Sequence, residues 1–189
     1  MNTVNPRAAR RAASAGFSLI EVLVALIVIS IGLLGLAKMT SLGIASTNVA
    51  GTRSLAATEA ASLAAMMHAD RAFWSAGNAP ASFTITGGPG VTTVISNSSL
   101  QGTQACTTTG TTACTPGNIA IHDVNQWAAD LAAVLPPYLA TVNCSTSTRA
   151  AISCAIQIQW TENGVAINAQ QSGNVSSLAL PTYILYVVP

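Results

Sequence analysis

The chain has 189 residues, of which half are apolar and only 7% are charged, far below the roughly 25% charged residues of an average soluble domain. The length allows one globular domain with appended segments. The net charge is +1, and the absence of a basic stripe or a nucleic-acid-binding motif argues against RNA or DNA as a partner. Small and hydroxylated residues replace the missing charges, a composition more typical of exported surface proteins than of cytosolic enzymes.

The N-terminal part of the chain combines a basic stretch with a long apolar run. Three arginines precede residue 17 with no acidic residue among them: Arg7, Arg10 and Arg11. Residues 17–37 carry a single charge, on Glu21, and Lys38 ends the run. This length is enough for a helix to cross about 30 Å of hydrocarbon, and the arginines orient its N-terminus towards the cytoplasm. We therefore expect residues 17–37 to form a single transmembrane segment.

A group of small residues lies before the apolar run and not after it. A secretory signal peptide has a shorter apolar core with a small-residue cleavage site after it, whereas here the small residues, from Ala12 to Gly16, come first. Cleavage between Gly16 and Phe17 would remove the basic leader, residues 1–16, and leave the apolar helix. Phe17 would then carry a new amino group, and Glu21 would be the fifth residue of the mature chain.

Glu21 is a charged residue within an otherwise apolar segment. An unpaired carboxylate deep in a bilayer costs at least about 2.5–3.5 kcal/mol, so such residues usually have a partner. The amino group of Phe17 on a neighbouring helix is a suitable cation, because a pKa near about 7.7–8.0 leaves it mostly charged at neutral pH. We predict that Glu21 is a subunit-assembly contact. The alternative is an uncleaved anchor with Glu21 near the membrane interface.

Gly16 and the segment Phe17-Ser18-Leu19-Ile20-Glu21, between a basic leader and a long apolar continuation, closely resemble the class III signal of type IV prepilins. In that family, prepilin peptidase cleaves after the glycine and methylates the new amino terminus. The resemblance implies cleavage between Gly16 and Phe17 and N-methylation of Phe17.

A helical stripe continues beyond the apolar run. Its members recur in steps of three or four: Ala45, Val49, Thr52, Ala56, Ala60, Leu63 and Met67. Gly77 and Pro80 supply a stop, so we expect a helix from Phe17 to about Trp74 within a segment 17–76. Four glycines in it indicate either local bending on assembly or close packing through small residues: Gly32, Gly35, Gly43 and Gly51.

The remaining residues, 77–189, predict a small head domain. Strand-like segments at 83–86 and 91–95 flank a glycine-rich turn and predict a hairpin, and residues 96–118 predict a loop. Asp123 and Gln126 resemble a capping box at the start of a short helix, which Pro136 and Pro137 end. Residues 151–160 alternate as a half-buried antiparallel strand, a turn at 161–164 follows, and 183–188 predict a final strand. The predicted fold is α+β, with the long helix packed on a small antiparallel sheet.

Four cysteines lie in the C-terminal half: Cys106, Cys114, Cys144 and Cys154. An even number beyond an apolar N-terminal segment indicates disulfides formed outside the cytosol. Three pairings are possible, and we favour 106–114 and 144–154 because each closes a short loop rich in threonine or serine. The spacings do not match paired CxxC motifs and both histidines lie elsewhere, so we expect no zinc site and no cofactor.

The head also resembles the PilV group of minor pilins, the type IV pilus modification proteins. The resemblance is carried by a helix followed by a cysteine-flanked strand that ends at a tryptophan: Asp123, Trp127, Leu131, Leu135-Pro136, Cys144, Cys154 and Trp160. It implies a subunit that helps to initiate pilus assembly with other minor pilins and the major pilin. Such a subunit acts from the bacterial inner membrane, with a periplasmic head, and then lies in the fibre at the cell surface.

Two alternative functions are a secretion-system subunit and an enzyme. A minor pseudopilin of type II secretion has a very similar N-terminal helix, although such chains tend to be shorter. A membrane-tethered periplasmic enzyme is disfavoured, because His68 and His122 are the two histidines and neither joins a nucleophile motif. The cluster Gly87–Gly90 lacks a following GK[ST] and is interpreted as a turn. We expect no catalytic residues.

Overall fold

The structure is a computed structural model that describes residues 16–102, 114–146, 150–162 and 180–189. The helices and strands are α1 (Leu19–Ala69), α2 (Arg71–Trp74), β1 (Ser82–Gly88), β2 (Val91–Ile95), a 3-10 helix (Ser98–Leu100), α3 (Pro116–Val134), β3 (Tyr138–Cys144), β4 (Cys154–Trp160) and β5 (Thr182–Val187). Internal contacts divide the chain into two units, residues 1–43 and 44–189, and α1 contributes to both.

The second unit contains one five-stranded sheet in the order β2-β1-β3-β4-β5, with every neighbouring pair antiparallel. The part of α1 between Ala56 and Met67 packs in the core of this unit together with the sheet and α3. The predicted α+β class, a long N-terminal helix on an antiparallel sheet, is confirmed. The predicted hairpin is also present and is formed by β1 and β2.

One hydrophobic core joins the helices to the sheet. On α1 the buried members are Ala56, Ala60, Leu63 and Met67, which belong to the predicted stripe. On β4 burial alternates strictly, with Cys154, Ile156, Ile158 and Trp160 inward and the residues between them half-buried. This period of two is that of a strand with one face on the core.

The start of α3 corrects the sequence analysis. The helix begins at Pro116, and Thr115 caps it, with its hydroxyl accepting a hydrogen bond from the backbone N–H of Asn118 at 3.3 Å. Asp123 therefore lies inside the helix and is not a cap. The expected loop 96–118 was also too long, because residues 98–100 form a 3-10 helix and 116–118 are helical. Residues 103–113 lie outside the described part of the chain.

Two further boundaries differ from the prediction. The long helix ends at Ala69, and after Asp70 a separate short helix, α2, reaches Trp74. Strand β3 was not predicted, yet it is the central strand and pairs with both β1 and β4. Strand β5 agrees closely with the expected final strand. The predicted turn at 161–164 lies partly outside the described residues.

Candidate functional site

The chain changes from non-helical to helical immediately after the predicted cleavage point. Residues 16–18 are not helical, and α1 begins at Leu19. The carbonyl of Ser18 accepts hydrogen bonds from the backbone N–H groups of Glu21 at 3.0 Å and Val22 at 3.3 Å, which closes the first turn. The side chain of Phe17 is 83% exposed. Gly16 is exposed as well.

Gly16 is not required by packing within the structure. A Cβ atom built at this position meets no other atom within 4 Å, and its backbone does not have a positive φ. The fold therefore tolerates a side chain here. A requirement for glycine at residue 16 would have to come from another molecule that contacts the chain.

Glu21 lies in the first turn of α1 and is exposed. A carboxylate in this turn interacts favourably with the positive end of the helix dipole. Its neighbours one turn further on, Val24 and Ala25, are apolar and also exposed. Among the residues that the structure describes, no basic side chain forms an ion pair with Glu21.

The first unit presents a continuous apolar surface. An 18-residue window of α1 has a mean hydropathy of 2.8, and none of its residues is buried. Large apolar side chains are exposed throughout, including Leu19, Ile20, Leu23, Val28, Ile31, Leu34 and Leu36. Soluble monomers rarely expose so long an apolar surface, and by length and composition this part of α1 fits membrane anchoring.

The cysteines of the sheet form one disulfide. Cys144 ends β3 and Cys154 begins β4, and the two residues face each other in the antiparallel register with Cα atoms 4.0 Å apart. This agrees with the pairing that the sequence favoured. Cys114 precedes α3, and Cys106, its predicted partner, lies outside the described residues, so that pairing stays a prediction.

The histidines do not converge on a site. His68, near the end of α1, and His122, on α3, are both exposed. Within the described ranges, no three histidine, cysteine or acidic side chains form a group suited to a metal ion. One residue that the sequence analysis passed over is Asp70, a buried carboxylate between α1 and α2. Aspartate is a common N-cap, and Asp70 stands in the N-cap position of α2, although its side chain makes no capping hydrogen bond there.

Comparison with known proteins identifies the N-terminal segment. A family model described as the prokaryotic N-terminal methylation motif matches residues 11–37. No curated protein and no solved structure matches the chain. The motif, on a long apolar helix joined to an α+β domain, supports a type IV pilin or pseudopilin. It implies processing by prepilin peptidase and assembly with other pilins.

Proposed function

We propose that the protein is a minor pilin of a type IV pilus. In this proposal prepilin peptidase cleaves between Gly16 and Phe17 and methylates Phe17, and the mature chain enters the fibre through α1. The observation that carries the proposal is the methylation motif at residues 11–37, which includes the start of an exposed apolar helix.

The proposed organisation follows from this processing. Residues 1–16 are the leader, 17–76 the N-terminal helical segment and 77–189 the head. The helix crosses the bacterial inner membrane at 17–37, with its N-terminus in the cytoplasm and the head in the periplasm. A disulfide between Cys144 and Cys154 supports an oxidising compartment for the head.

The PilV-like assignment rests on the head. Its motif residues Trp127, Leu131 and Leu135 are all buried, so they supply the core rather than an exposed binding surface. Cys144 and Cys154 join neighbouring strands, and Trp160 ends β4. These positions support a helix followed by a cysteine-flanked strand, the pattern on which the resemblance depends. The proposed partners are the other minor pilins and the major pilin.

A minor pseudopilin of a type II secretion system is the second candidate, because the N-terminal methylation motif fits both classes. The two proposals differ in where the mature protein is found. A minor pilin is recovered in surface fibres that are sheared from cells, and its deletion reduces piliation. A minor pseudopilin stays in the envelope, and its deletion reduces protein secretion with normal piliation.

The processing claim is tested by N-terminal mass spectrometry of the protein from the envelope and from sheared fibres. We expect a mature chain that begins with N-methylated Phe17. In the variant Gly16→Ala, which the fold tolerates, we expect the full-length precursor to accumulate. A functional native chain that retains Arg7, Arg10 and Arg11 would overturn the proposal, as would normal maturation of Gly16→Ala.

A further inference from the structure

Strand β5 is an edge strand, and its outer edge is unpaired in the part of the chain that the structure describes. It is the last strand in the order β2-β1-β3-β4-β5, and its residues pair with β4 without a register shift. An unpaired row of backbone N–H and C=O groups is a template for another strand, and most proteins protect such an edge with charges, proline or a bulge. β5 has none of these, because its sequence is TYILYV.

The opposite edge of the sheet is protected. Strand β2 has five residues, and its register with β1 shifts between Thr86 and Gly88. The side chain of Gln101 also donates a hydrogen bond to the backbone carbonyl of Ile95 at 2.6 Å. A short, irregular strand with part of its backbone already bonded is a poor template for pairing. The two edges therefore differ, and β5 is the one suited to another chain.

The backbone hydrogen bonds of β5 alternate between its two edges. The N–H of Trp160 donates to the carbonyl of Pro181 at 3.3 Å, so these two residues begin the ladder between β4 and β5. Hydrogen-bonded pairs in an antiparallel ladder recur at every second residue. The residues that direct their N–H and C=O groups towards β4 are Tyr183, Leu185 and Val187. The residues that direct theirs to the outer edge are Thr182, Ile184 and Tyr186.

The side chains beside this edge are uncharged or already paired. On the face of β5 that points away from the core, Ile184 is 46% exposed and Tyr186 is 76% exposed. Their neighbours on β4 are also uncharged: Gln157 and Ala155. Arg53 lies near the start of β5, but its guanidinium donates to both carboxylate oxygens of Glu162, at 3.2 and 3.3 Å. Two copies of this edge can therefore meet without repulsion between like charges.

We propose that β5 pairs in antiparallel orientation with β5 of a second copy of this chain, which joins the two five-stranded sheets into one. A two-fold axis at the middle of the strand brings the free N–H groups of each copy opposite free C=O groups of the other. In the register centred on Leu185, Ile184 lies opposite Tyr186 of the second copy, and such aromatic–β-branched pairs stabilise a sheet. The strand is complementary to itself in hydrogen bonding and carries no charge, which favours a second copy over a charged partner.

The test uses the full chain in detergent micelles, with more micelles than protein chains, so that α1 does not force two copies together. Hydrogen exchange of single backbone amides is followed by NMR at several protein concentrations. The amides of Thr182, Ile184 and Tyr186 should exchange about fourfold more slowly at about ten times the dissociation constant of the dimer than at about a tenth of it, because pairing depletes the monomer. The amides that bond to β4 should be protected at every concentration.

Two variants at Ile184 change the pairing edge and leave the bonds to β4 in place. Ile184→Lys puts a charge near the middle of the strand in both copies, and Ile184→Pro removes an N–H that points to the outer edge. Each should abolish the concentration dependence of exchange at Thr182 and Tyr186. The matched control is Val94→Lys, because Val94 is 55% exposed on the same face of the sheet but on the opposite edge strand. This variant should keep the concentration dependence.

The proposal involves the second unit alone and does not depend on the role of the protein in a fibre. Slow exchange of the three outward amides at every concentration would mean that β5 pairs within its own chain, and fast exchange at every concentration would mean that it does not pair with a second copy. Either result would overturn the proposal. So would exchange that slows only when another pilin is added, because the edge would then belong to a different subunit, or an equal loss in Val94→Lys, because the effect would then be one of charge in general.

Discussion

The indole Nε1–H of Trp127 donates a hydrogen bond to the backbone carbonyl of Glu59 at 2.9 Å. This bond joins α3 directly to α1, across 68 residues of sequence. Trp127 is fully buried, and Leu63 and Leu131 are buried in the same core. One side chain thus supplies both a large apolar surface and a polar link between the two helices that cover the sheet.

Trp127→Phe should lower the free energy of unfolding by about 1–3 kcal/mol. The change removes a hydrogen bond worth about 1 kcal/mol and leaves a small cavity where the indole was larger. Urea unfolding of the full chain in micelles, followed by circular dichroism, measures the loss. The control is Tyr186→Phe, since that side chain is 76% exposed and should change stability by less than about 0.5 kcal/mol. Equal effects would contradict the assigned role of Trp127.

Gly88→Ala should destabilise the hairpin more than Gly90→Ala. Both glycines have a positive φ, so alanine is strained at each. At Gly88 an added Cβ would also lie 2.7 Å from the backbone Cα of Pro137, whereas at Gly90 it meets nothing within 4 Å. We expect a loss of about 1 kcal/mol for Gly90→Ala and at least about 2 kcal/mol for Gly88→Ala. A smaller loss at Gly88 would show that the Pro136-Pro137 segment moves freely away.

The sequence alone did not reveal strand β3. Strand β3 follows Pro137 directly, and its inward residues are Tyr138, Ala140 and Val142, with Leu139 facing outwards. Because small Ala140 faces the core and large apolar Leu139 faces outwards, the strand does not show the alternation of apolar and polar residues by which a strand is recognised. The central strand was therefore missed, whereas β4, with isoleucine inside and glutamine outside, was predicted correctly.

The start of α3 was predicted wrongly for a different reason. Two capping patterns compete in the sequence, Asp123 with Gln126 and Thr115 with Pro116. Proline is favoured in the first helical position because its fixed φ suits a helix and its missing N–H is not needed there. Isoleucine and alanine between the two patterns extend the buried face back towards Thr115. By contrast, the methylation motif is local in sequence, so it was predicted without knowledge of tertiary contacts.

Replacing both Cys144 and Cys154 by serine should lower stability by about 2–3 kcal/mol. The disulfide closes a loop with a sequence separation of 10, and the chain-entropy model gives a stabilisation of that order for so short a loop. Urea unfolding with and without a reductant measures it. The matched control replaces Cys106 and Cys114 instead and should leave the Cys144–Cys154 link intact in peptide mapping. A link between Cys106 and Cys154 in the wild type would contradict the assignment.

Asp70→Asn should raise the free energy of unfolding at neutral pH. Because the pKa of Asp70 is raised in the folded state, the folded protein binds this proton more tightly than the unfolded chain does. The resulting destabilisation is fully present above the folded pKa and disappears as the pH falls towards the unfolded value, near 3.8. We expect a gain of about 1–2 kcal/mol at pH 7.5, which should shrink on acidification. Thermal unfolding across this pH range measures it, and a pH-independent gain would contradict burial of the charged carboxylate as the cause.

Glu21→Gln should leave processing intact and reduce incorporation into fibres by at least about tenfold. In the proposed assembly, the carboxylate of Glu21 pairs with the amino group of Phe17 on a neighbouring subunit, in a layer of apolar side chains. Removing one partner of a buried ion pair leaves the other charge unpaired, which costs about 3–5 kcal/mol, and each 1.4 kcal/mol is about tenfold in an equilibrium constant. Quantitative blots of sheared fibres, normalised to the envelope, measure the ratio.

Asp130→Asn is the control for that experiment, because it removes one negative charge from the second unit and not from the apolar surface of α1. If both variants reach fibres at wild-type levels, Glu21 is not an assembly contact, and its carboxylate is then tolerated near the membrane interface. If Glu21→Gln accumulates as an uncleaved precursor, the residue acts in recognition by the peptidase instead. Charge pairing requires that Glu21→Gln is processed to the mature form but stays in the envelope. Loss of the carboxylate removes the partner of the Phe17 amino group but leaves the apolar surface of α1 unchanged.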